Sequence, residues 1–189
     1  SVVYANYGTR EDFEKLKELG VSCENCVVIA RYGKNYRGFK AKFAEAAGAA
    51  GLLMYTDPDD SGWRKGLPYP EGGWADGAYV QRGSIKTLPY AGDPLTPFEP
   101  ATKDAKRLDP KDVALPKIPV QPIGWDAAEE ILSRMRGQPV PKGWQGGLPF
   151  VYRVTGGGDL LAHVKVKQAR RVVPSANVIA HIPGATHPE

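Results

Sequence analysis

The 189-residue chain has few of the residues that carry thiol and metal chemistry, with two cysteines and three histidines. The cysteines form one Cys-x-x-Cys pair, Cys23 and Cys26, and a structural zinc site would need two further ligands, for which no second pair exists. A thioredoxin-like dithiol sits at the start of a helix, whereas this pair lies between a predicted helix and a predicted strand. A turn or a local disulfide is therefore favoured over redox chemistry.

Long apolar runs and blocks of like charge are also absent from the sequence. No stretch approaches the ~18 to 20 apolar residues of a membrane span, and the first residues lack the basic flank and apolar run of a signal peptide. The 25 basic and 21 acidic residues are dispersed and leave a net charge of +4, whereas a nucleic-acid-binding protein usually has a basic stripe. The sequence therefore predicts neither a membrane span nor a nucleic-acid partner.

The motifs that mark self-contained enzymes are missing too. The chain has no Gly-x-Ser-x-Gly nucleophile elbow, no His-Glu-x-x-His zinc motif and no Gly-x-x-x-x-Gly-Lys-Ser/Thr phosphate loop. The glycine run at 156–158 precedes Asp159 and a strand-like alternation, which indicates a hairpin turn and not a phosphate-binding helix start. The sequence therefore has no signature of a self-contained hydrolase.

Glycine and proline are abundant instead, with 22 and 17 residues, which is about a fifth of the chain and roughly twice their average usage. Because 42% of the residues are hydrophobic, the sequence predicts a folded unit with many turns and not a low-complexity segment. Both ends have strand-like patterns. We therefore expect a single domain, residues 1–189, excised from a longer protein.

Hydrophobic periodicity predicts an α/β fold with a βαβ unit. The Ala-rich second helix has Phe39, Phe43 and Ala46 on one face, and the strands flanking it are continuous apolar runs typical of a buried parallel pair. The elements predicted in the first third are a strand at 2–7, a helix between Thr9 and Gly20, a strand at 26–31, a helix at 39–50 and a strand at 51–55.

Residues 57–117 show no lasting period and form a predicted irregular loop region. Because disordered segments are usually poor in aromatic residues, the aromatic content favours ordered excursions that are anchored by these side chains and face a partner surface. The aromatic residues of this region are Trp63, Tyr69, Trp74, Tyr79, Tyr90 and Phe98.

Periodicity returns in the last third, where additional antiparallel β-strands are expected. A strand at 118–123 leads into a helix at about 126–136, which is followed by a Pro- and Gly-rich stretch. The later strands are predicted at 150–154, 160–166, 171–173 and 177–182.

The loop at 31–38 is the main candidate site, because it follows the carboxyl end of a buried strand, where open α/β sheets bind their ligands. Three cations, Arg31, Lys34 and Arg37, alternate there with Tyr32 and Tyr36. Arginine offers a two-pronged fork and tyrosine a hydroxyl on a rigid ring, so the loop would suit a carboxylate-bearing ligand. The alternative is a solvated loop whose basic side chains bind nothing.

Several motifs occur in a specific order along the chain: VVIARYGKxxRG at 27–38, AGAxG at 47–51, YTDP at 55–58, QRG at 81–83, GDPLTP at 92–97, IPVQPIG at 118–124 and NVI at 177–179. In this order they resemble the protease-associated domain of the glutamate carboxypeptidase II and transferrin receptor family. The resemblance runs from about residue 2 to the end. A protease-associated domain of another enzyme class, such as a subtilisin-like protease, would not explain the matches after Asp57.

The resemblance implies a swivelling β/β/α domain that is inserted into a zinc exopeptidase of the M28 family and covers its active site as a lid. By position, Arg37 matches the arginine that grips the terminal carboxylate of the substrate, and Tyr36 matches an aromatic residue that lines the same pocket, close to Lys34. Ser84 occupies the position of an asparagine that helps hold this carboxylate. The implied substrate is a peptide with a C-terminal glutamate or aspartate.

The resemblance also implies metals. The two zinc ions of such a parent enzyme are held by ligands outside this chain, in a catalytic domain of the same polypeptide. The resemblance therefore implies that the chain by itself is catalytically silent and has no cofactor of its own. Thr96 matches a calcium ligand, and Glu99 stands where the family has a tyrosine as the second ligand of this loop. Oxygen donors of this kind suit calcium.

Two functions are implied for the parent protein. The first is a glutamate carboxypeptidase-like enzyme, extracellular, periplasmic or anchored to a membrane, and homodimeric. The second is a noncatalytic, transferrin receptor-like protein in which this domain is a protein–protein interaction module.

Overall fold

A computed structural model describes residues 1–169, 171, 173–176 and 178–187. Its centre is a sheet of four parallel strands in chain order: Val2–Tyr4 (β1), Val27–Arg31 (β2), Gly51–Tyr55 (β3) and Val120–Ile123 (β4). Every residue of β1, β2 and β3 is buried, which explains why these segments are continuous apolar runs. The predicted α/β fold and the strand at 51–55 are confirmed.

Two helices, Arg10–Glu18 (α1) and Arg37–Ala46 (α2), connect the first three strands and pack against each other. The hydroxyl of Thr9 accepts a hydrogen bond from the amide of Asp12, and the carboxylate of Asp12 accepts one from the amide of Thr9. This reciprocal capping box fixes where α1 begins, as the sequence predicts.

The face that α2 buries differs from the predicted one. Its buried residues are Gly38, Lys40, Ala41 and Ala44, while Phe39 is 42% exposed. Small side chains are needed there because α2 lies close to the sheet and to Gly8, where an added Cβ would come within 3.3 Å of the Lys40 side chain. Phe39 and Phe43, which the sequence places on one apolar face, do not form the buried face of α2, because both lie in a row of aromatic rings with Tyr36.

The region 57–117 is irregular, as predicted, apart from two short helical turns. These are Pro58–Ser61 (α3) and a 3-10 turn at Pro110–Asp112. The aromatic side chains of the region do not act as buried anchors, since Trp63, Tyr69, Trp74, Tyr79 and Phe98 are all at least 40% exposed. They lie on the surface of the domain.

The final helix, Trp125–Leu132 (α4), follows β4 directly. It buries Trp125, Ala128 and Leu132 in the same hydrophobic core as the sheet. The sequence placed this helix correctly but extended it to residue 136.

The additional antiparallel strands are not confirmed. In the segment after α4, the carbonyl of Val154 accepts from the amide of Tyr4, and the amide of Gly156 donates to the carbonyl of Val2. Thr155 forms a single antiparallel bridge with Val3. Residues 160–166 form no strand, although Leu160, Ala162 and Val164 pack against the core. The predicted strands at 171–173 and 177–182 include Val172 and Asn177, which lie outside the described residues, and their other residues are not in strands.

A buried carboxylate joins this later segment to the sheet. Asp57, directly after β3, accepts hydrogen bonds from the hydroxyls of Tyr55 and Tyr152 at 2.9 and 2.7 Å. It also accepts the amide protons of Asp59 and Gly147. Four donors from three parts of the chain therefore converge on one side chain at the carboxyl edge of the sheet.

Candidate functional site

The candidate site lies in the loop between β2 and α2, at the carboxyl edge of the parallel sheet. The loop turns sharply at Gly33 and Lys34, whose φ angles are +117° and +63°. An added Cβ on Gly33 would lie 2.9 Å from the Tyr7 ring, so only glycine fits there without a shift. The turn delivers Arg37 as the first residue of α2.

Arg31 does not belong to this site, because its guanidinium is buried inside the molecule and 2% exposed. It donates to the side-chain oxygen of Asn6 through two nitrogens at 3.2 and 3.0 Å, and it pairs with Asp60 at 3.5 Å. The ring of Tyr7 stacks on it at 4.0 Å. One of the three cations of the predicted loop is thus a structural ion-pair partner.

Arg37 lies among aromatic rings. Its guanidinium carbon is 6.0 Å from the ring centroid of Tyr32 and 5.8 Å from that of Tyr36. Burial raises the pKa of Tyr32, and the positive charge of Arg37 beside it opposes that increase. The rings hold the cation without neutralising it.

The guanidinium of Arg37 also packs against backbone. A Cβ built on Gly83 would lie 2.3 Å from Nη1 of Arg37, so this glycine leaves the space that the guanidinium occupies. Nε of Arg37 is buried and has no hydrogen-bond partner among the described residues. A buried donor of a charged group is costly when unpaired, so this nitrogen is available for an acceptor.

The segment 81–84 closes the site from the other side, held by two tyrosine hydroxyls. Tyr32 donates to the backbone oxygen of Gln81 at 2.7 Å, and Tyr36 donates to that of Ser84 at 2.5 Å. The hydroxyl of Ser84 accepts the amide proton of Lys86 at 3.1 Å. Ser84 therefore lies next to Tyr36 and contacts it through its backbone.

Lys34 is exposed and lines a separate cleft of about 400 Å³ together with Arg10, Phe39 and Phe43. Its ammonium group is 5.7 Å from the Tyr7 ring. The structure thus brings Arg37, Tyr36 and the Ser84 backbone together, while Lys34 lies in a neighbouring cleft.

Thr96 and Glu99, the predicted calcium ligands, lie in one turn of the irregular region. The amide of Glu99 donates to the carbonyl of Thr96 at 3.3 Å. Thr96 is 2% exposed, and its hydroxyl is buried with no hydrogen-bond partner among the described residues, whereas Glu99 is exposed. One buried, unpaired oxygen and one exposed carboxylate are compatible with part of a calcium site.

Two kinds of feature are absent from the described residues. No three His, Cys, Asp or Glu side chains cluster as a metal site would require. No helix there has the length and apolar character needed to span a membrane. Both cysteines are free thiols within a turn, in which the Cys26 amide donates to the Cys23 carbonyl.

Gly83 and Lys40 contribute to the site but were not predicted. Gly83 lies inside the QRG motif, so the motif itself was the available signal. Lys40 offered no signal, because a lysine on a helix is ordinarily solvent-exposed.

Comparison with known proteins identifies the type of domain. The family model described as PA domain matches residues 1–88. Over its full length the chain is 38% identical to aminopeptidase NAALADL1 of Rattus norvegicus, 35% to a glutamate carboxypeptidase 2 homolog of Caenorhabditis elegans and 32% to transferrin receptor protein 2 of Mus musculus. It covers 27%, 26% and 23% of these proteins, respectively.

The chain thus spans about a quarter of the length of the curated relatives that it matches. The relatives include proteins named as peptidases and proteins named as receptors. The match covers the whole chain in each case, including the segment after residue 88. The chain therefore belongs to the protease-associated domains of the glutamate carboxypeptidase and transferrin receptor family.

Proposed function

We propose that this chain is the substrate-binding lid domain of a glutamate carboxypeptidase-like zinc exopeptidase. In this proposal residues 1–189 form one domain of the swivelling protease-associated type, and the two zinc ions are bound by a catalytic domain elsewhere in the same polypeptide. The substrate is a peptide with a C-terminal glutamate or aspartate, and the parent protein is an extracellular, periplasmic or membrane-anchored homodimer.

The observation that carries the proposal is the environment of Arg37. Its guanidinium is held between two tyrosine rings and against Gly83, and its buried Nε has no partner among the described residues. A structural arginine is expected to resemble Arg31, whose nitrogens are paired with Asn6 and Asp60. A planar, charged guanidinium with an unpaired Nε is suited to a carboxylate supplied by a ligand.

The remaining site residues have smaller roles in this proposal. Tyr36 lines the pocket and fixes the segment of Ser84, and Lys34 attracts acidic peptides from the neighbouring cleft. Thr96 and Glu99 provide part of a calcium site whose other ligands come from the catalytic domain. In that role calcium would join the irregular region to the rest of the protein.

Replacing Arg37 by alanine in the longer protein tests the proposal. Loss of a charge-assisted pair with the substrate carboxylate costs about 2 to 4 kcal/mol, which corresponds to a rise in KM of about 30- to 1000-fold for a peptide ending in glutamate. Because the lost contact binds ground state and transition state alike, kcat should change little.

Arg134→Ala is the matched control, since Arg134 is an exposed arginine just after α4 that pairs with Glu130. It should leave KM unchanged. An unchanged KM in Arg37→Ala would refute the carboxylate clamp.

A second function is favoured by the surface aromatic residues and by the similarity to transferrin receptor protein 2. Trp63, Tyr69, Trp74 and Tyr79 are exposed, and aromatic side chains are enriched at protein interfaces. The chain would then be a protein-binding module of a noncatalytic parent. Measuring the zinc content and peptidase activity of the longer protein separates the two functions, because the receptor-like parent should have neither.

A further inference from the structure

We infer that Lys40 is the positioning residue that holds Arg37 in its ligand-binding place. This inference rests on the proposed function of Arg37 as a carboxylate clamp. Lys40 lies one helical turn after Arg37 on α2, but it is completely buried, and its ammonium group points back into the loop that precedes Arg37.

The ammonium group of Lys40 has three hydrogen-bond acceptors. It donates to the backbone oxygens of Tyr7 and Gly33, the latter at 2.7 Å, and to the side-chain oxygen of Asn35 at 2.6 Å. Two of these acceptors lie in the loop just before Arg37, and the third lies in the loop after β1. Asn35 reinforces the link by donating to the backbone oxygen of Gly8 at 3.3 Å.

The start of α2 lacks a side-chain cap among the described residues. Its N-cap residue, Tyr36, makes no side-chain capping hydrogen bond, and its hydroxyl is used on the segment of Ser84. Lys34 has a φ angle of +63°, a left-handed backbone shape that costs energy for a residue with a Cβ and persists when neighbouring contacts hold it. Lys40 supplies such contacts from inside the helix.

The geometry requires a charged Lys40. A protonated amine has three donors, which match the three acceptors, whereas a neutral amine has two. Burial lowers the pKa of Lys40 to about 8, with the Arg31 charge acting in the same direction and the carboxylates of Asp12 and Asp60 opposing it. Lys40 therefore remains mostly protonated at neutral pH.

The experiment compares two substrates in the longer protein, a peptide ending in glutamate and the same peptide with its terminal carboxylate converted to an amide. Lys40→Met keeps the length of the side chain and removes its donors. Because a small displacement of a binding group is enough to weaken its contact, KM for the acid should rise about tenfold, with kcat/KM for the amide unchanged within about twofold. Lys42→Met, the same change at an exposed position of α2, should alter neither value.

Asn35→Ala is a second variant that removes one acceptor and leaves Lys40 in place. It should raise KM for the acid about threefold and, like Lys40→Met, leave kcat/KM for the amide unchanged. If Lys40→Met does not fold, Asn35→Ala decides the question. The inference would be overturned if kcat/KM fell equally for the acid and the amide peptide, or if it changed for neither. A merely structural role of Lys40 would not discriminate between the two substrates.

The Arg37→Ala background separates this inference from the function on which it rests. There, adding Lys40→Met should cause no further rise in KM, since the positioned group is gone. If Arg37→Ala has no effect alone, the proposed function fails. If Arg37→Ala raises KM but Lys40→Met and Asn35→Ala do not, only the positioning role fails.

Discussion

At the scale of single residues, two arginines six positions apart have opposite surroundings. Arg31 is paired with Asn6 and Asp60, whereas Arg37 faces aromatic rings and the backbone of Gly83 and has an unpaired Nε among the described residues. The sequence could indicate a cationic, tyrosine-rich loop but could not separate these roles, because pairing depends on which residues the fold brings close. The partners of Arg31 lie 25 and 29 positions away in the chain.

Gly83 offers a test of the site at this scale. Gly83→Ala places a methyl group where Nη1 of Arg37 now lies, and the flexible arginine should move aside while the fold is kept. We expect KM for a glutamate-terminated peptide to rise about tenfold, with less than about 1 kcal/mol change in the free energy of unfolding.

Gly73→Ala is the matched control, because a Cβ there would meet nothing within 4 Å. Its KM should equal that of the unchanged protein. If Gly83→Ala binds substrate normally, Arg37 does not act from the position described.

At the scale of elements, the parallel sheet could be predicted and the later strands could not. Buried parallel strands are recognisable as continuous apolar runs, as in β2 and β3. Residues 160–166 keep the alternating pattern of a strand but pair with no strand in the described part of the chain, and Leu160, Ala162 and Val164 pack on the core without a ladder. Pairing is a property of two segments, so one segment's pattern does not determine it.

The helix α2 also shows that the pattern of one segment does not determine which of its residues meet the rest of the fold. Its aromatic residues suggested the wrong inner face, because the close approach of helix and sheet favours small side chains and a buried lysine. The position of α2 decides where Arg37 lies, yet the contact that holds its first turn, through Lys40, carries no sequence signal.

Asp57 provides a stability test for how the elements are joined. Asp57→Ala leaves two buried tyrosine hydroxyls and two amides without their acceptor, so the free energy of unfolding should fall by about 3 to 5 kcal/mol. Urea denaturation of the 189-residue chain at pH 7 measures this change. Asp59→Ala, an exposed carboxylate in α3, should cost less than about 1 kcal/mol, and equal losses in both variants would show that Asp57 is not the joint.

At the scale of the whole molecule, the relatives are much longer than this chain. It spans about a quarter of its relatives, and among its described residues no cluster of His, Cys, Asp and Glu could hold a metal ion. The proposed lid role, in which the chain binds substrate and another domain carries out the chemistry, would account for both the unpaired Nε of Arg37 and the lack of catalytic motifs. In that role the contact at Arg37 would hold the peptide equally in the ground state and the transition state.

The most direct measurement is a crystal structure of the longer protein with a glutamate-terminated, uncleavable peptide analogue. The account predicts that the terminal carboxylate meets the guanidinium of Arg37 at about 2.7 to 2.9 Å, with Tyr36 and Gly83 beside it. A carboxylate bound elsewhere, with Arg37 more than about 4 Å from it, would contradict the account.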